Sequence, residues 1–136
     1  MKALSVRAPW WWAILYLGKR IENRDWSTNY RGRIYLHASK WFSIDEIMYD
    51  IEDVREMRLK ASPDLVPPHC TLRMLKDAGG CLVGTVDIVD CVTASSSPWF
   101  VGKYGFVLEN PIPLLRPLPY RGERGLFDVP DSLLAA

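Results

Sequence analysis

The apolar and polar positions change period several times along the chain, and each change marks a predicted element. Ala3 to Arg7 is a predicted strand. Pro9 suits the first position of a helix and Gly18 suits its end, so Pro9 to Leu17 predicts a two-turn helix with three consecutive tryptophans. At least one of these indoles should lie at a surface or in a cleft, because together they span too wide an arc for one neighbour to bury.

The middle of the chain predicts a second strand and a longer helix. Ile21 to Asn23 predicts a short extended piece, and the alternation in Arg33 to Ala38 predicts a strand. Ser43 and Glu46 form a capping box, after which apolar residues recur at helical spacing, so Ser43 to about Lys60 predicts an amphipathic helix with an acidic, solvated face.

Strands dominate the last third. Cys70 to Lys76 fits either a strand or a short helix, whereas the β-branched run in Cys81 to Val92 is the strongest strand prediction. A further strand is predicted from Tyr104 to Leu108, closed by Asn110-Pro111. The prolines that follow exclude a central strand and predict an edge or wrapping segment. Several short strands around two helices predict the α+β class, with a curved sheet or small open barrel.

Composition places few further limits on function. A length of 136 residues predicts one domain, residues 1–136, that can build a core without metal or disulfides. No apolar run is long enough to cross a bilayer and no signal-peptide pattern is present, so we expect a cytoplasmic protein without membrane contact. The three cysteines form no Cys-x-x-Cys pair, which predicts reduced thiols and no metal site; no cofactor is expected.

Charge is unevenly distributed although the formal net charge is only +1. Residues 1–40 hold eight basic and two acidic side chains, a net of +6. Residues 41–64 hold seven acids and three bases, a net of −4. If the first third forms one face, that face can attract polyanions.

The first basic third contains a cluster that fits an anion site. Lys19, Glu22 and Arg24 follow Gly18, and they converge if the chain enters a tight loop after the first helix. Beside Glu22 the Lys19 ammonium would stay cationic and the carboxylate would be held ionised and oriented, and Arg24 would add a planar fork for phosphate or carboxylate. An ordinary surface ion-pair cluster is the alternative.

Several segments resemble one known family. They are Leu4 to Trp10, Gly18 to Arg24, Arg31 to Lys40, Val83 to Val86 with Asp90 to Val92, Tyr104 to Pro111, and Tyr120 to Phe127. These resemble the ASCH domain, named for homology to activating signal cointegrator 1, and the later segments are similar to bacterial and phage members. The resemblance covers about residue 3 to residue 128, and its most specific part is Lys-x-x-Glu-x-Arg with an upstream Pro-Trp.

The resemblance implies a PUA-like β-barrel with a cleft for RNA or a nucleotide-like ligand, with DNA also possible. Lys19, Glu22 and Arg24 occupy the family's pattern. The chain departs at two positions from the family's pattern, Gly-x-Lys-x-x-Glu-x-Arg with an upstream Pro-Trp. Gly18 adjoins Lys19 with no intervening residue, and Ala8 stands before Pro-Trp where relatives often have Gln. The family's amidohydrolase members have Thr in place of Glu22. They also use an acidic residue from a loop after a barrel strand, and Asp90 is the nearest acid in this chain to that position.

Other side chains extend the predicted site. Ser5 and Arg7 alternate on the first strand and either face the same cleft or lie on a solvated strand edge. Trp12 either lines the cleft or packs against Tyr16, and Trp10 is predicted to lie in the core. His37 can bind phosphate, move a proton or simply form a structural hydrogen bond. The complete predicted binding set is Ser5, Arg7, Trp12, Lys19, Glu22, Arg24, Arg31, His37, Ser39 and Tyr104.

Three functions stay open at this point. The first is an RNA- or nucleotide-binding module. The second is a small hydrolase, either a ribonuclease or an amidohydrolase on acylated nucleosides, with Lys19, Glu22 and Arg24 as its catalytic residues. The third is a protein-interaction module that uses the acidic helix. The oligomeric state is not predicted.

Overall fold

A mixed, curled sheet of six strands forms the body of the protein, in a computed structural model that describes residues 1–134. The sheet order is β2-β5-β4-β3-β1-β6. The strands are β1 (Lys2–Val6), β2 (Ile21–Arg24), β3 (Gly32–Ala38), β4 (Cys81–Val92), β5 (Tyr104–Pro119) and β6 (Leu126–Asp128). The helices are α1 (Trp10–Tyr16), α2 (Ile44–Ala61) and α3 (Leu72–Asp77), with a short 3-10 helix at Asp131–Leu134.

The pairing of these strands gives the predicted α+β class and small PUA-like barrel architecture. β1 runs parallel to β3, and the other neighbouring strands are antiparallel. Register shifts interrupt the β3–β4 ladder once and the β4–β5 ladder three times. Such bulges increase local twist and bending, which suits a sheet that curls around a helix.

The main core lies between one face of the sheet and α1. Ala13 and Ile14 are fully buried, and the inward-facing residues of β3, Ile34 and Leu36, pack in the same cluster. The opposite face of β3 is buried as well, because Tyr35 packs in a second cluster with residues of β4 and β6. The alternation in β3 therefore separates two apolar clusters rather than a core from solvent.

The long helix α2 begins as predicted. Ser43 is the N-cap and its Oγ accepts a hydrogen bond from the Glu46 backbone N–H at 3.4 Å. Its apolar face is only partly covered, because Ile47 and Val54 are buried whereas Ile44 and Met48 are exposed. The segment Cys70 to Lys76, which fitted either a strand or a short helix, contains a helix, α3, capped by the Thr71 side chain.

The last long strand, β5, differs from the prediction that Asn110-Pro111 ends it. It continues to Pro119 along β4, while β2 pairs only with Tyr104 to Val107. The proline-rich part therefore lies beyond β2, at an unpaired edge where a missing N–H donor breaks no ladder bond. Asn110 has a φ of 53°, the left-handed region that Asn tolerates. No helix within residues 1–134 is long and apolar enough to cross a membrane.

Candidate functional site

A cavity of about 530 Å³ lies where β1, the start of α1 and β2 meet. We call it the Lys19 cavity. It is lined by Ser5, Val6, Arg7, Trp10, Lys19, Glu22, Asn23, Arg24, Asp25, Met57 and Val101. Its volume falls within the range of small-molecule sites, roughly 300–1,000 Å³.

The turn after α1 brings the basic cluster into this cavity. Gly18 has a φ of +76°, which a side chain would disfavour, and the Lys19 backbone N–H donates to the Ala13 carbonyl at 3.1 Å. Glu22 and Arg24 then lie two residues apart on β2, so they share one face of the strand. Of the three residues, only the position of Lys19 therefore depends on the turn at Gly18.

Within the cluster, one carboxylate joins two cations. Lys19 Nζ donates to Glu22 Oε1 at 2.9 Å and to the Ile21 carbonyl at 2.5 Å. Arg24 donates to Glu22 Oε2 from Nε at 3.1 Å and from Nη2 at 2.9 Å. Because Lys19 is 1% exposed and Glu22 is 6% exposed, this is a buried ion-pair network rather than a surface cluster.

The network leaves one positive charge uncompensated. Burial by itself opposes ionisation of Glu22, but the neighbouring Lys19 and Arg24 outweigh it and hold the pKa of that carboxyl below its ordinary value. Glu22 is therefore ionised at neutral pH, and the three groups together carry a charge of +1. Two of the three ammonium donors of Lys19 are used, and Arg24 Nη1 makes no hydrogen bond within residues 1–134.

Strand β1 forms the opposite wall. Arg24 Nη2 also donates to the Ser5 carbonyl at 2.8 Å, which links β2 to β1 across the curl of the sheet. Arg7 lies at the rim, with its side chain 54% exposed and 3.8 Å from Glu46. Its guanidinium also lies over the Trp41 ring, 4.6 Å from the centroid.

The tryptophans differ from the prediction. Trp10, expected in the core, is only half-buried and lines the Lys19 cavity, where Lys19 Nζ lies 5.6 Å from its ring centroid. Trp12, included in the predicted binding set, takes the alternative position: it is buried and packs on Tyr16 with ring centroids 4.2 Å apart. Trp12 instead borders another cavity, between α1, α2 and the Pro67 loop.

His37 and Ser39 lie in an adjacent cavity of about 570 Å³, which we call the His37 cavity. Its lining also includes Ser5, so Ser5 borders both cavities. Ser5 Oγ lies 3.0 Å from His37 Nδ1, and His37 Nε2 lies 2.7 Å from the Tyr120 carbonyl. Burial lowers the pKa of His37 in spite of the opposing backbone hydrogen bond, so the imidazole is neutral at pH 7.

The remaining two predicted residues lie outside both cavities. Arg31 is exposed and donates to the carbonyls of Thr28 and Tyr30. Tyr104 lies opposite Arg24 in the β2–β5 ladder, with Lys103 Nζ 5.5 Å from its ring centroid.

Besides Trp10, sequence reasoning did not identify five residues of the Lys19 cavity: Val6, Asn23, Asp25, Met57 and Val101. Asn23 holds the loop before β5, since its Nδ2 donates to the Trp99 carbonyl at 2.9 Å and its Oδ1 accepts from the Val101 N–H at 3.0 Å. Asn23 and Asp25 alternate with motif residues, which is a signal that was available. Met57 and Val101 are apolar residues of distant segments, and nothing in their spacing indicated the site.

Metal ligation has no support in the part of the chain that the structure describes. Within residues 1–134 there is no group of three or more His, Cys, Asp or Glu side chains that could hold an ion.

Comparison with known proteins gives a consistent family. The model of the ASCH domain matches residues 4–114. Activating signal cointegrator 1 from Homo sapiens is 26% identical over 138 aligned residues, which cover 96% of this chain and 22% of that protein. The Mus musculus protein of the same name is 25% identical with the same coverage. The chain thus spans about a fifth of the length of these relatives.

Proposed function

Since this chain belongs to the ASCH domain family, we propose that it binds RNA or a nucleotide-like ligand in the Lys19 cavity. The observation that carries the proposal is the buried Lys19–Glu22–Arg24 network with its net charge of +1. The surplus charge lies on Arg24, whose side chain is 22% exposed at the cavity wall. A cation there without its own anion favours an anionic ligand, because the ligand supplies the missing charge.

The geometry suits a phosphate beside a flat ring. Arg24 is held at two of its nitrogens, so its remaining Nη1 donors are already oriented for an oxyanion. Arg7 adds a second, exposed cation at the rim. Trp10 contributes an aromatic surface, and stacking of a base on such a surface contributes roughly 1–3 kcal/mol.

The same geometry favours binding over proton transfer. A general base should have a pKa near the working pH, yet Glu22 is held ionised below its ordinary value by two cations. Its oxygens accept three hydrogen bonds from Lys19 and Arg24. We therefore assign Glu22 the role of positioning the two cations rather than of accepting a proton from substrate.

The test is binding of a labelled single-stranded oligoribonucleotide over a series of salt concentrations, with a DNA strand of the same sequence alongside. Each phosphate contact contributes about 0.7 to the slope of log affinity against log salt for single strands. Arg7→Gln, at an exposed position, should lower the slope by about that amount without altering the fold. Arg24→Lys keeps the charge but removes the fork, and should weaken binding.

Arg116→Gln is the matched control, because Arg116 is exposed on β5 and borders neither cavity. Its affinity and slope should equal those of the parent protein. Binding that does not depend on salt, or that is unchanged in both the Arg7 and the Arg24 variant, would refute the proposal.

One observation favours a second function, protein interaction through α2. Besides its acids, this helix exposes Ile44, Met48, Tyr49 and Leu59, which are 50% to 75% exposed. Substituting Met48 and Tyr49 by Ser should abolish such an association while sparing nucleic-acid binding. If the substitutions leave every association of the protein unchanged, α2 is only an outer face.

A further inference from the structure

The His37 cavity carries more positive charge than the Lys19 cavity. Three cations line it, Lys40, Arg121 and Arg124, against the single acid Glu123. None of the three cations makes an ion pair within residues 1–134. All three are exposed, so they are free to bind an anion without first breaking a protein contact.

The two cavities adjoin one another. Ser5 borders both, and Arg7 of the Lys19 cavity lies over the ring of Trp41, which belongs to the His37 cavity. Cations and aromatic rings thus continue from one cavity to the next, which is the pattern of grooves that follow a single-stranded backbone.

The hydrogen bonds at the junction leave an acceptor facing the ligand. The Tyr120 carbonyl can only accept, so His37 Nε2 must be the protonated nitrogen. His37 Nδ1 then accepts, and the Ser5 hydroxyl donates to it. The Ser5 oxygen keeps its lone pairs, so it can accept from a ribose hydroxyl or a base amino group at the border of the two cavities.

The glycine beside His37 keeps this arrangement in place. A Cβ atom at Gly122 would lie 2.6 Å from His37 Cε1 and 2.9 Å from His37 Nδ1. The chain can therefore pass against the imidazole only because Gly122 has no side chain, and this passage places Arg121 and Arg124 at the cavity.

We propose that the His37 cavity is a second nucleotide subsite, so that the ligand is a single-stranded oligonucleotide that spans both cavities. Lys40, Arg121 and Arg124 bind a phosphate of the neighbouring nucleotide, and Trp41 stacks on its base. This inference rests on the proposed function of the Lys19 cavity. A mononucleotide would therefore occupy only one of the two cavities.

The experiment compares a mononucleotide, a single-stranded hexanucleotide and the hexanucleotide duplex as ligands of the full chain. The parent protein should bind the single-stranded hexanucleotide more tightly than the mononucleotide. Arg121→Gln with Arg124→Gln should remove this gain and lower the salt slope for the hexanucleotide by about 1.4, two contacts at about 0.7 each.

Two further variants sharpen the result. Trp41→Leu should weaken hexanucleotide binding about tenfold without changing the salt slope, because stacking releases no counterions. Arg73→Gln with Arg116→Gln removes the same charge at residues that line neither cavity, and should leave the gain and the slope as they are.

The outcomes separate the two proposals. If the mononucleotide binds but the hexanucleotide gains nothing, or the Arg121 and Arg124 variant keeps the gain, the second subsite is refuted while the proposed function stands. Tighter binding of the duplex also refutes it. If neither ligand binds, the proposed function of the Lys19 cavity fails and the second subsite fails with it.

Discussion

The buried network predicts a large loss of stability when its carboxylate is neutralised. In Glu22→Gln the side chain keeps its size, but the buried Lys19 ammonium loses its counter-charge and the new amide N–H₂ cannot accept from Arg24. Removing one partner of a buried pair typically costs about 3–5 kcal/mol. Arg24 is 22% exposed at its side chain and can regain water, so most of the cost falls on Lys19.

The assay is urea denaturation at pH 7, with thermal unfolding as a second measurement. For a chain of this size a destabilisation of 1 kcal/mol lowers the thermal midpoint by about 4 °C, so the thermal midpoint of Glu22→Gln should fall by about 12–20 °C. Glu56→Gln is the matched control, because the Lys60–Glu56 pair has a similar N···O distance, 3.1 Å, but is about two-thirds exposed. Its cost should stay below about 1 kcal/mol.

The pH dependence provides an independent check on the same residue. The pKa of Glu22 is lowered in the folded state, so its ionised form stabilises the fold above the ordinary value of 4.5. That stabilisation is lost as the pH falls through the lowered pKa. The difference in unfolding free energy between the parent protein and Glu22→Gln should therefore shrink on acidification below pH 4.5. A Glu22→Gln cost equal to that of Glu56→Gln, or a difference that does not change with pH, would refute the buried-network interpretation.

Two substitutions and one chemical labelling experiment test the surrounding structure. Gly84→Ala should destabilise the fold by about 1–3 kcal/mol in urea denaturation, because a Cβ there would lie 2.8 Å from the Ile112 carbonyl; a neutral result would contradict the tight β4–β5 contact. Arg33→Gln should leave nucleotide affinity unchanged, since Arg33 Nη1 is engaged with Asp87 at 2.9 Å; weakened binding would place Arg33 in the site instead. Burial raises the pKa of the Cys70 thiol to about 11, so alkylation at pH 8 mapped by mass spectrometry should be much slower in the folded than in the urea-unfolded protein; equal rates would show that Cys70 is accessible.

The elements that sequence predicted well are those whose signal is local. The period of the apolar residues and the caps located β1, α1, β3, α2 and β4 to within about two residues, since caps and periodicity depend only on neighbouring positions. The prediction that β5 ends at Asn110-Pro111 was wrong, whereas the edge position predicted for its prolines was confirmed. Prolines exclude a strand only where a second strand lies on their N–H side. Only the sheet order shows that β2 has already ended where Pro111 begins.

The site residues also divide into those that local sequence indicated and those whose position depends on the tertiary structure. Lys19, Glu22 and Arg24 are close in sequence, and the motif indicated that they meet. Trp10 and Trp12 were exchanged in role, because the rotation of α1 against the sheet decides which indole faces the Lys19 cavity, and two turns of helix do not encode that rotation. Met57 reaches the cavity from a helix that is distant in sequence, so periodicity identified it only as apolar.

The bond from Arg24 to the Ser5 carbonyl joins strands that stand four places apart in the sheet, at 2.8 Å. A flat sheet would hold these two groups far from each other, so this contact exists only when every intervening strand has bent into its final course. The hydrogen bond from the Arg24 guanidinium to Ser5 therefore forms only in the completely folded sheet. A fragment that lacks β3 or β4 would carry all three motif residues and still have no place for a ligand to enter.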